Sequence, residues 1–303
     1  MAELRFNDRV AIVTGAGTGI GAAHARLLGR RGAAVIVNDL DVDAANTVVA
    51  EIVAAGGRAV VAPGDIATEA AAAATVDAAI QSFGRVDIVV NNAGVLRSAP
   101  FRELTVETWD RVVAVNLRST FLVTHAAWGH MADQGYGRVI STTSNSGLLG
   151  VPGSSAYSAA KAAVWGLTRS LSLEGAELGI NVNALAPMAF TAMSAASKIA
   201  PKSWRSGEGD EWSRRLSTDH VASAMGWLAH EDCRLNGHVL SVVGGRVARF
   251  AMRVTEGFDD AELTIELVRD HEMELLAPDP GVEYGAASDE ARAMHRRLLG
   301  TRT

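Results

Sequence analysis

The stretch Val10-Ala11-Ile12-Val13-Thr14-Gly15-Ala16-Gly17-Thr18-Gly19-Ile20-Gly21 decides the fold of this chain. Its first four residues are apolar and mostly β-branched, which predicts a short buried strand. A glycine-rich turn follows at once, and the residues from Ala22 to Arg31 have a helical pattern. Such a turn lets a pyrophosphate approach the backbone, while the first N–H groups of the helix attract its charge. A plain tight turn between strand and helix is the competing interpretation.

Further short apolar stretches alternate with helical patterns along the chain, at 34–37, 59–62, 86–90, 138–144, 180–187 and 238–242. This rhythm predicts βαβ units. We therefore expect a single doubly wound parallel sheet of the Rossmann type, with helices on both faces. Ligands of such sheets bind beyond the carboxyl ends of the strands. Polar or small residues follow the strands at those ends, namely Gly15, Asp39, Asp65, Asn91 and Ser144.

Asp39 follows the second strand, 20 residues after Gly19. A carboxylate at this spacing accepts hydrogen bonds from the adenosine ribose and repels a 2′-phosphate. Neither Thr18 nor Leu40 supplies an arginine for that phosphate, so the sequence predicts NAD rather than NADP. The alternative is that Asp39 caps the next helix, a role that Asp41 can also fill.

Asp65 has two interpretations that the sequence leaves open. It follows the third strand, so its carboxylate can accept a hydrogen bond from the adenine amino group. It also precedes a helix pattern that starts at Glu69, so it can instead cap that helix.

Tyr157 and Lys161 stand four residues apart in a run of small residues that predicts a helix, so they share one face. Ser144 lies at the end of the preceding strand. A cation beside a phenol favours the phenolate and lowers the tyrosine pKa, which makes Tyr157 a candidate general base. Ser144 can then hydrogen-bond the substrate oxygen. The competing interpretation is an ordinary pair on a helix face beside a loop serine.

Five motifs together resemble the short-chain dehydrogenase/reductase family in its NAD-linked branch, over about residues 8–250. They are Thr14-Gly15-x-x-x-Gly19-x-Gly21, Asn91-Asn92-Ala93-Gly94, Asn116, Ser144 and Tyr157-x-x-x-Lys161. The segment Val37-Asn38-Asp39-Leu40 and the long tail resemble, to a lesser degree, the hydroxyacyl-CoA dehydrogenase part of peroxisomal multifunctional enzymes. The resemblance implies reversible oxidation of a secondary alcohol to a ketone with NAD, and a homotetramer.

The resemblance also assigns site residues. The implied catalytic residues are Asn116, Ser144, Tyr157 and Lys161, with Asn116 holding a water that links Lys161 to solvent. The implied NAD-binding residues are Gly15, Thr18, Gly19, Ile20, Gly21, Asp39, Leu40, Asp65, Ile66, Asn92, Ala93, Gly94, Tyr157, Lys161, Pro187, Met188 and Thr191. Met188 departs from the glycine that the family usually has there, and it can instead form an apolar wall.

The resemblance divides the chain into a catalytic domain, residues 1–250, and a helical extension, residues 251–303, that packs on its own subunit or a neighbour's. A long irregular segment at about 189–217 corresponds to the family's substrate lid, where Trp204 and Trp212 can cover an apolar substrate. The extension carries 12 acidic and 6 basic residues, so it accounts for the whole net charge of −6. We expect a hydroxysteroid, a terpenoid alcohol or a 3-hydroxyacyl thioester as substrate.

Composition narrows the other classes of function. No basic patch suggests nucleic-acid binding, and no apolar run approaches the roughly 20 residues that span a bilayer. The single cysteine, Cys233, excludes a disulfide within the chain and, with no signal-peptide pattern at the start, predicts a cytoplasmic protein. The histidines, among them His24, His125 and His130, show no metal-binding spacing, so we expect no metal. A 3-oxoacyl thioester reductase and a dinucleotide-sensing binding protein stay as alternatives.

Overall fold

A computed structural model describes residues 3–193 and 215–299 of the chain. The chain divides into two compact units, and the division falls between Arg249 and Phe250. Eight strands of the described chain form one sheet: β1 (Val10–Thr14), β2 (Ala34–Asp39), β3 (Arg58–Pro63), β4 (Ile88–Asn91), β5 (Gly137–Thr142), β6 (Ile180–Met188), β7 (Val239–Val243) and β8 (Arg246–Phe250).

The strands lie in the order β3-β2-β1-β4-β5-β6-β7-β8. Every neighbouring pair from β3 to β7 is parallel. The order runs outward in both directions from β1 and β4, so the predicted doubly wound fold is confirmed. The carboxyl ends of β1 and β4 meet where the order reverses, which is where ligands of such sheets bind.

The helices of the first unit follow the strands at the predicted rhythm. Within the described residues they are α1 (Gly19–Arg30), α2 (Val42–Ala54), α3 (Glu69–Phe83), α4 (Val106–Val113), α5 (Ser119–Gln134), α6 (Ser146–Leu149), α7 (Ser155–Gly175) and α8 (Thr218–Ala229). Their ends have local causes. Thr68 Oγ1 accepts a hydrogen bond from Ala71 N and so caps α3, and Gly84, with φ at 78°, ends it in the left-handed region.

Two hydrophobic cores lie on opposite faces of the sheet. Alternate residues of β1 face different cores: Val13 packs in the core with Leu28 of α1, and Ile12 packs in the core with Val76 of α3. The first core also holds Met225 of α8. This alternation explains why the strands read as continuous apolar runs, because both faces are covered.

The structure corrects the sequence interpretation in two places. The strand at 238–242 is not the last, because β8 follows it after a two-residue turn. Gly244 and Gly245 both have positive φ, at 57° and 86°, which fits a tight hairpin. The sequence also predicts one long helix from about Val106 to Met131, but the structure interrupts it with a π-helical turn, Ala114–Arg118.

The second unit contains three helices in its described residues, Ile265–Asp270, Glu272–Leu275 and Ala287–Leu299. The apolar pattern from Leu263 to Leu275 predicts one helix, but the structure has two, which meet at His271. The His271 ring stacks on Phe258 with a centroid distance of 4.2 Å, and its Nδ1 lies 2.7 Å from Glu274 Oε2. Local contacts of this kind tie the short helices together.

Candidate active site

The glycine-rich turn after β1 is held against the end of β4. Thr14 Oγ1 accepts hydrogen bonds of 3.0 Å from both Asn92 N and Ala93 N. Asn92 Nδ2 donates in return to the carbonyl oxygens of Thr14 and Gly15, each at 3.1 Å. A Cβ on Gly15 would lie only 2.9 Å from Ala93 Cα, and Gly15 has φ at 59°, so the position requires glycine.

Within residues 3–193 and 215–299, the first N–H groups of α1 have no side-chain hydrogen-bond partner. Thr18 is the N-cap, but its side chain makes no capping hydrogen bond, and the first turn has no acidic residue. The N-terminal end of a helix carries a positive partial charge and unpaired N–H groups. This end of α1 is therefore suited to bind an anionic group.

Asp39 closes the other side of the glycine-rich turn. Its carboxylate accepts hydrogen bonds from Gly17 N at 2.8 Å and from Asp41 N at 3.0 Å. Asp41, not Asp39, caps α2, because its Oδ1 accepts from Ala44 N at 3.0 Å. The helix-cap alternative for Asp39 is therefore wrong, and its carboxylate faces the ligand side of the turn.

Asp65 forms an ion pair that the sequence does not reveal. Its Oδ2 accepts a hydrogen bond of 2.7 Å from Arg111 Nη1, on α4, and its Oδ1 accepts from Ala67 N at 3.1 Å. Burial alone would raise the pKa of Asp65, but the Arg111 and Ala67 hydrogen bonds lower it below its ordinary value. Thr68 caps α3 instead, so the capping alternative for Asp65 is also wrong.

Ser144, Tyr157 and Lys161 come together beyond the end of β5. The Ser144 hydroxyl lies near the Tyr157 phenol and influences its pKa, and both residues line the same cavity. Ser144 Oγ also accepts from Ser146 N at 3.1 Å and donates to Asn145 Oδ1 at 3.3 Å. Two elements thus present one pair of hydroxyls: the turn after β5 carries Ser144, and the first turn of α7 carries Tyr157.

Lys161 is buried behind this pair, with 3% of its surface exposed. Its Nζ lies 5.7 Å from the Tyr157 ring centroid and donates a hydrogen bond of 2.7 Å to Thr142 O. Burial lowers the pKa of Lys161 to about 7, because the interior disfavours the charged ammonium.

The pKa of Tyr157 moves in the direction opposite to the sequence prediction. Burial raises it above its ordinary value, although the nearby Ser144 hydroxyl lowers it in part. The expected lowering by Lys161 is absent, because the ammonium is directed to Thr142 O rather than to the phenol oxygen. In the protein alone, Tyr157 therefore carries its proton at neutral pH.

Asn116 lies in the π-helical turn between α4 and α5 and is fully buried. Its Nδ2 donates to Val95 O at 2.8 Å and to Val112 O at 2.9 Å, while its Oδ1 accepts from Val95 N at 3.3 Å. A π-helical turn widens the helix, which leaves room for a side chain to bond the backbone within it. Asn116 thereby fixes the irregular segment that follows Gly94.

One cavity of about 700 Å³ joins these groups. Every residue that the sequence assigns to the site lines it: Asn116, Ser144, Tyr157 and Lys161, with Gly15, Thr18, Gly19, Ile20, Gly21, Asp39, Leu40, Asp65, Ile66, Asn92, Ala93, Gly94, Pro187, Met188 and Thr191. Asn91 does not; it is buried, and its Nδ2 donates to Thr124 Oγ1 at 2.9 Å. Volumes of this size accommodate a dinucleotide-sized ligand.

Several lining residues were missed by sequence reasoning. They include Asn38, Arg111, Asn145, Ser146, Val151, Ser154 and Phe190. Asn145 and Ser146 directly follow Ser144, so the sequence could have predicted that they lie close to the site. Arg111 gave no such signal, because it reaches Asp65 from a helix 46 residues away. The predicted lid lies largely at 194–214, outside the described residues, and so do Trp204 and Trp212.

A family model described as short chain dehydrogenase matches residues 9–202. The chain belongs to the short-chain dehydrogenase family. Members of this family are oxidoreductases that act on hydroxyl groups of small molecules, typically with a nicotinamide dinucleotide.

Related proteins within the family differ in length. Peroxisomal multifunctional enzyme type 2 from Mus musculus is 40% identical over 283 residues, which are 89% of this chain but 37% of that enzyme. The chain thus spans little more than a third of that relative. A (2S)-[(R)-hydroxy(phenyl)methyl]succinyl-CoA dehydrogenase subunit from Thauera aromatica is 38% identical over 80% of this chain and 97% of its own length. A short chain dehydrogenase structure from Mycobacterium avium has a TM-score of 0.77 and 33% identity, covering 92% of this chain and 99% of that one.

The residues of this short-chain dehydrogenase fit the family's dinucleotide. A Cβ on Gly21 would lie 2.1 Å from Gly15 O, so the cradle needs bare backbone there, and the uncapped start of α1 opens into the same cavity. Over residues 3–193 and 215–299, no three His, Cys, Asp or Glu side chains gather as metal ligands would. In the same ranges, no helix is both long and apolar enough to cross a membrane.

Proposed function

We propose that this chain is an NAD-dependent dehydrogenase that interconverts a secondary alcohol and a ketone, with Tyr157 as the general base. The observation that carries the proposal is that the Ser144 and Tyr157 hydroxyls line one cavity, with the Lys161 ammonium buried 5.7 Å from the Tyr157 ring centroid. These groups share one cavity with the glycine-rich turn and Asp39. A phenol, a cation and a dinucleotide cradle in one cavity are the parts that alcohol oxidation requires.

The two hydroxyls have different tasks. The Ser144 hydroxyl, whose single proton is bonded to Asn145 Oδ1 in the protein alone, rotates to donate to the substrate oxygen. It thereby orients that oxygen toward Tyr157 and stabilises the negative charge that develops on it. Tyr157, as phenolate, takes the hydroxyl proton. Bound NAD supplies the acceptor for the hydride that leaves the carbinol carbon. Because burial raises the pKa of Tyr157 and Lys161 is directed to Thr142 O, ionisation of Tyr157 depends on added positive charge near the phenol, which an oxidised nicotinamide would supply when bound.

Lys161 also has a role in proton transfer. A pKa of about 7 lets its ammonium release and take up a proton near neutral pH. Asn116 and the Thr142 carbonyl lie around it: a Cβ on Gly94 would come within 2.8 Å of Asn116 Oδ1 and 3.8 Å of Lys161 Nζ. We propose that Asn116 holds a water there, through which the Lys161 proton exchanges with solvent.

Asp39 supports NAD over NADP. Its carboxylate lines the cavity at the end of β2, and only backbone N–H groups bond it among the described residues. A negative charge at this place accepts hydrogen bonds from ribose hydroxyls and repels a 2′-phosphate. Asp65, at the end of β3, offers an acceptor to the adenine amino group.

The substrate side of the cavity favours an apolar or extended molecule. Leu96, Val151, Met188, Phe190 and Met193 line it. We propose a hydroxysteroid, a terpenoid alcohol or a 3-hydroxyacyl thioester as the substrate class, and the relative from Thauera aromatica, named for an acyl-CoA, supports the last. We also propose a cytoplasmic homotetramer, on the family resemblance and the single cysteine.

Two other functions make different predictions. A 3-oxoacyl thioester reductase would favour NADP and the reduction of a ketone. A dinucleotide-sensing protein would bind NAD and transfer no hydride, although it would have no need of Ser144, Tyr157 and Lys161 together. NADH formation, followed by absorbance across a panel of secondary alcohols and 3-hydroxyacyl-CoAs, tests the proposal. Binding of NAD without hydride transfer from any of them contradicts it.

A further inference from the structure

The side-chain amide of Asn145, directly after Ser144, makes an unusual hydrogen bond for a residue at this position. Asn145 precedes the short helix α6 as its N-cap, and asparagine at that position commonly caps the helix with its side chain. Here the side chain makes no capping hydrogen bond. Its Oδ1 instead accepts from Ser144 Oγ at 3.3 Å, and the residue lines the cavity. A structural explanation by helix capping is therefore wrong for this asparagine.

The orientation of the Asn145 amide follows from the partners of Ser144. Ser144 Oγ accepts a hydrogen bond from Ser146 N and donates its own proton to Asn145 Oδ1 at 3.3 Å. The Asn145 amide therefore has its oxygen, not its nitrogen, toward Ser144. The two N–H donors of Nδ2 then have no acceptor in the described part of the chain.

The position of Asn145 relative to the reacting hydroxyls is fixed by close packing. α6 lies against α7, the helix that carries Tyr157 and Lys161. A Cβ on Gly147 would come within 2.6 Å of Ala162 N, so the turn approaches the α7 backbone as closely as only glycine allows. The amide is thus a preorganised donor beside the place where the substrate oxygen binds.

We infer that Asn145 is a specificity-determining residue, whose Nδ2 donates a hydrogen bond to a carbonyl oxygen of the substrate one or two carbons from the carbinol. The inference rests on the proposed alcohol oxidation. An apolar substrate would bury these donors without a partner, and such burial is unfavourable. A hydroxy-carbonyl compound satisfies them, because an oxygen bound at Ser144 and Tyr157 brings a neighbouring carbonyl within reach of the next side chain.

The test uses two probes that differ in one carbonyl group, 4-hydroxyoctan-2-one and octan-4-ol, each with NAD. We expect kcat/KM of the wild-type protein to be higher for the hydroxyketone. Asn145→Ala should lower the ratio of the two values about tenfold or more, because a site built for a hydrogen bond discriminates strongly. Asn145→Gln, which keeps an amide, should restore part of the ratio. Unfolding midpoints of both variants check that the fold is intact.

The ratio of the two kcat/KM values distinguishes a hydrogen bond from Asn145 to the substrate from a role of Asn145 in positioning Ser144. If Asn145 only positions Ser144, both probes lose rate equally in Asn145→Ala and the ratio stays within about threefold of wild type, which overturns the inference. Equal rates of the wild-type protein on both probes overturn it too, and leave the proposed dehydrogenase activity standing. A protein that transfers hydride from no alcohol at all contradicts the proposed function itself.

Discussion

The Lys161 ammonium donates its hydrogen bond to the carbonyl oxygen of Thr142, the last residue of β5, at 2.7 Å. The same strand end leads to Ser144 two residues later. The end of β5 therefore binds the Lys161 ammonium and also leads to the Ser144 hydroxyl. Because Lys161 is buried and has this one carbonyl partner, its charge is only partly compensated, and its pKa falls to about 7.

Replacing Lys161 by an apolar side chain should change how stability depends on pH. The folded pKa is about 7 and the ordinary value is 10.5, so the unfolded chain binds more protons between these values. The penalty for burying Lys161 is then complete below pH 7 and declines as pH rises toward 10.5. Relative to that of Lys161→Met, the free energy of unfolding of the wild-type protein should rise by on the order of 2–3 kcal/mol from pH 6.5 to pH 9.5.

Urea unfolding at the two pH values measures this gain. Tyr157→Phe is the control, because the Tyr157 pKa is raised above 10 and this residue does not titrate in that range. A difference between wild type and Lys161→Met that stays the same at both pH values would show that Lys161 is not titrating in the folded protein.

Tyr157→Phe should keep NAD binding and lose most turnover. The variant removes only the phenol oxygen, so the packing of α7 is retained while the proton acceptor is lost. We expect kcat to fall by about 10² to 10⁴, with the Kd for NAD within about threefold of wild type. Stopped-flow NADH formation and titration of intrinsic fluorescence measure the two quantities. Turnover equal to wild type would remove Tyr157 from the mechanism.

Asp39 should set the preference for NAD over NADP. In Asp39→Asn the repulsion of a 2′-phosphate is gone, although one amide oxygen still accepts from Gly17 N or Asp41 N. The ratio of kcat/KM for NAD to that for NADP should fall about tenfold or more. Asp43→Asn, an exposed neighbour in the first turn of α2, should leave the ratio unchanged. Comparable efficiency of the wild-type protein with both dinucleotides would contradict this role.

Arg111 should affect the binding of NAD without taking part in the chemistry. It holds one oxygen of Asp65 and so orients the carboxylate proposed to accept the adenine amino group. Arg111→Met should raise KM for NAD several-fold, by about 3 to 10 times, and leave kcat near wild type. Arg102→Met removes an exposed ion pair with Glu103 outside the cavity and is the control. An unchanged KM in Arg111→Met would show that Asp65 needs no such support.

His24, on α1, should make the protein sensitive to acid. It is fully buried, neither ring nitrogen has a hydrogen-bond partner in the described part of the chain, and burial lowers its pKa from 6.5 to about 3. Below pH 6.5 His24 binds a proton in the unfolded chain but not in the folded protein, so the free energy of unfolding falls as pH falls. From pH 7.5 to pH 5, the free energy of unfolding of His24→Leu should therefore rise by about 2 kcal/mol relative to that of wild type.

Thermal unfolding at the two pH values tests the role of His24. The exposed His130→Gln variant on α5 is the control and should follow wild type. If His24→Leu loses stability with acid as steeply as wild type, His24 is not the group responsible.

The sequence was sufficient for the fold and for most of the site. Alternating apolar strands and helices predict a parallel sheet, and its strand ends gather at one edge whatever the details of packing. Gly15, Asp39, Asp65 and Ser144 were placed in this way and line one cavity, whereas Asn91, placed with them, does not. The hairpin strand β8 was missed, because a short exposed stretch after two glycines resembles a loop as much as an edge strand.

What the sequence alone determined is which residues reach the ligand edge of the sheet, since strand order and helix period decide that. Only the tertiary structure decided what those residues bond. Arg111 reaches Asp65 across 46 residues, Lys161 turns to Thr142 rather than to the Tyr157 oxygen, and Asp41 takes the helix cap. Periodicity gives the face on which a side chain lies, but the partner it finds, and hence its pKa, depends on distances between elements that are far apart in the chain.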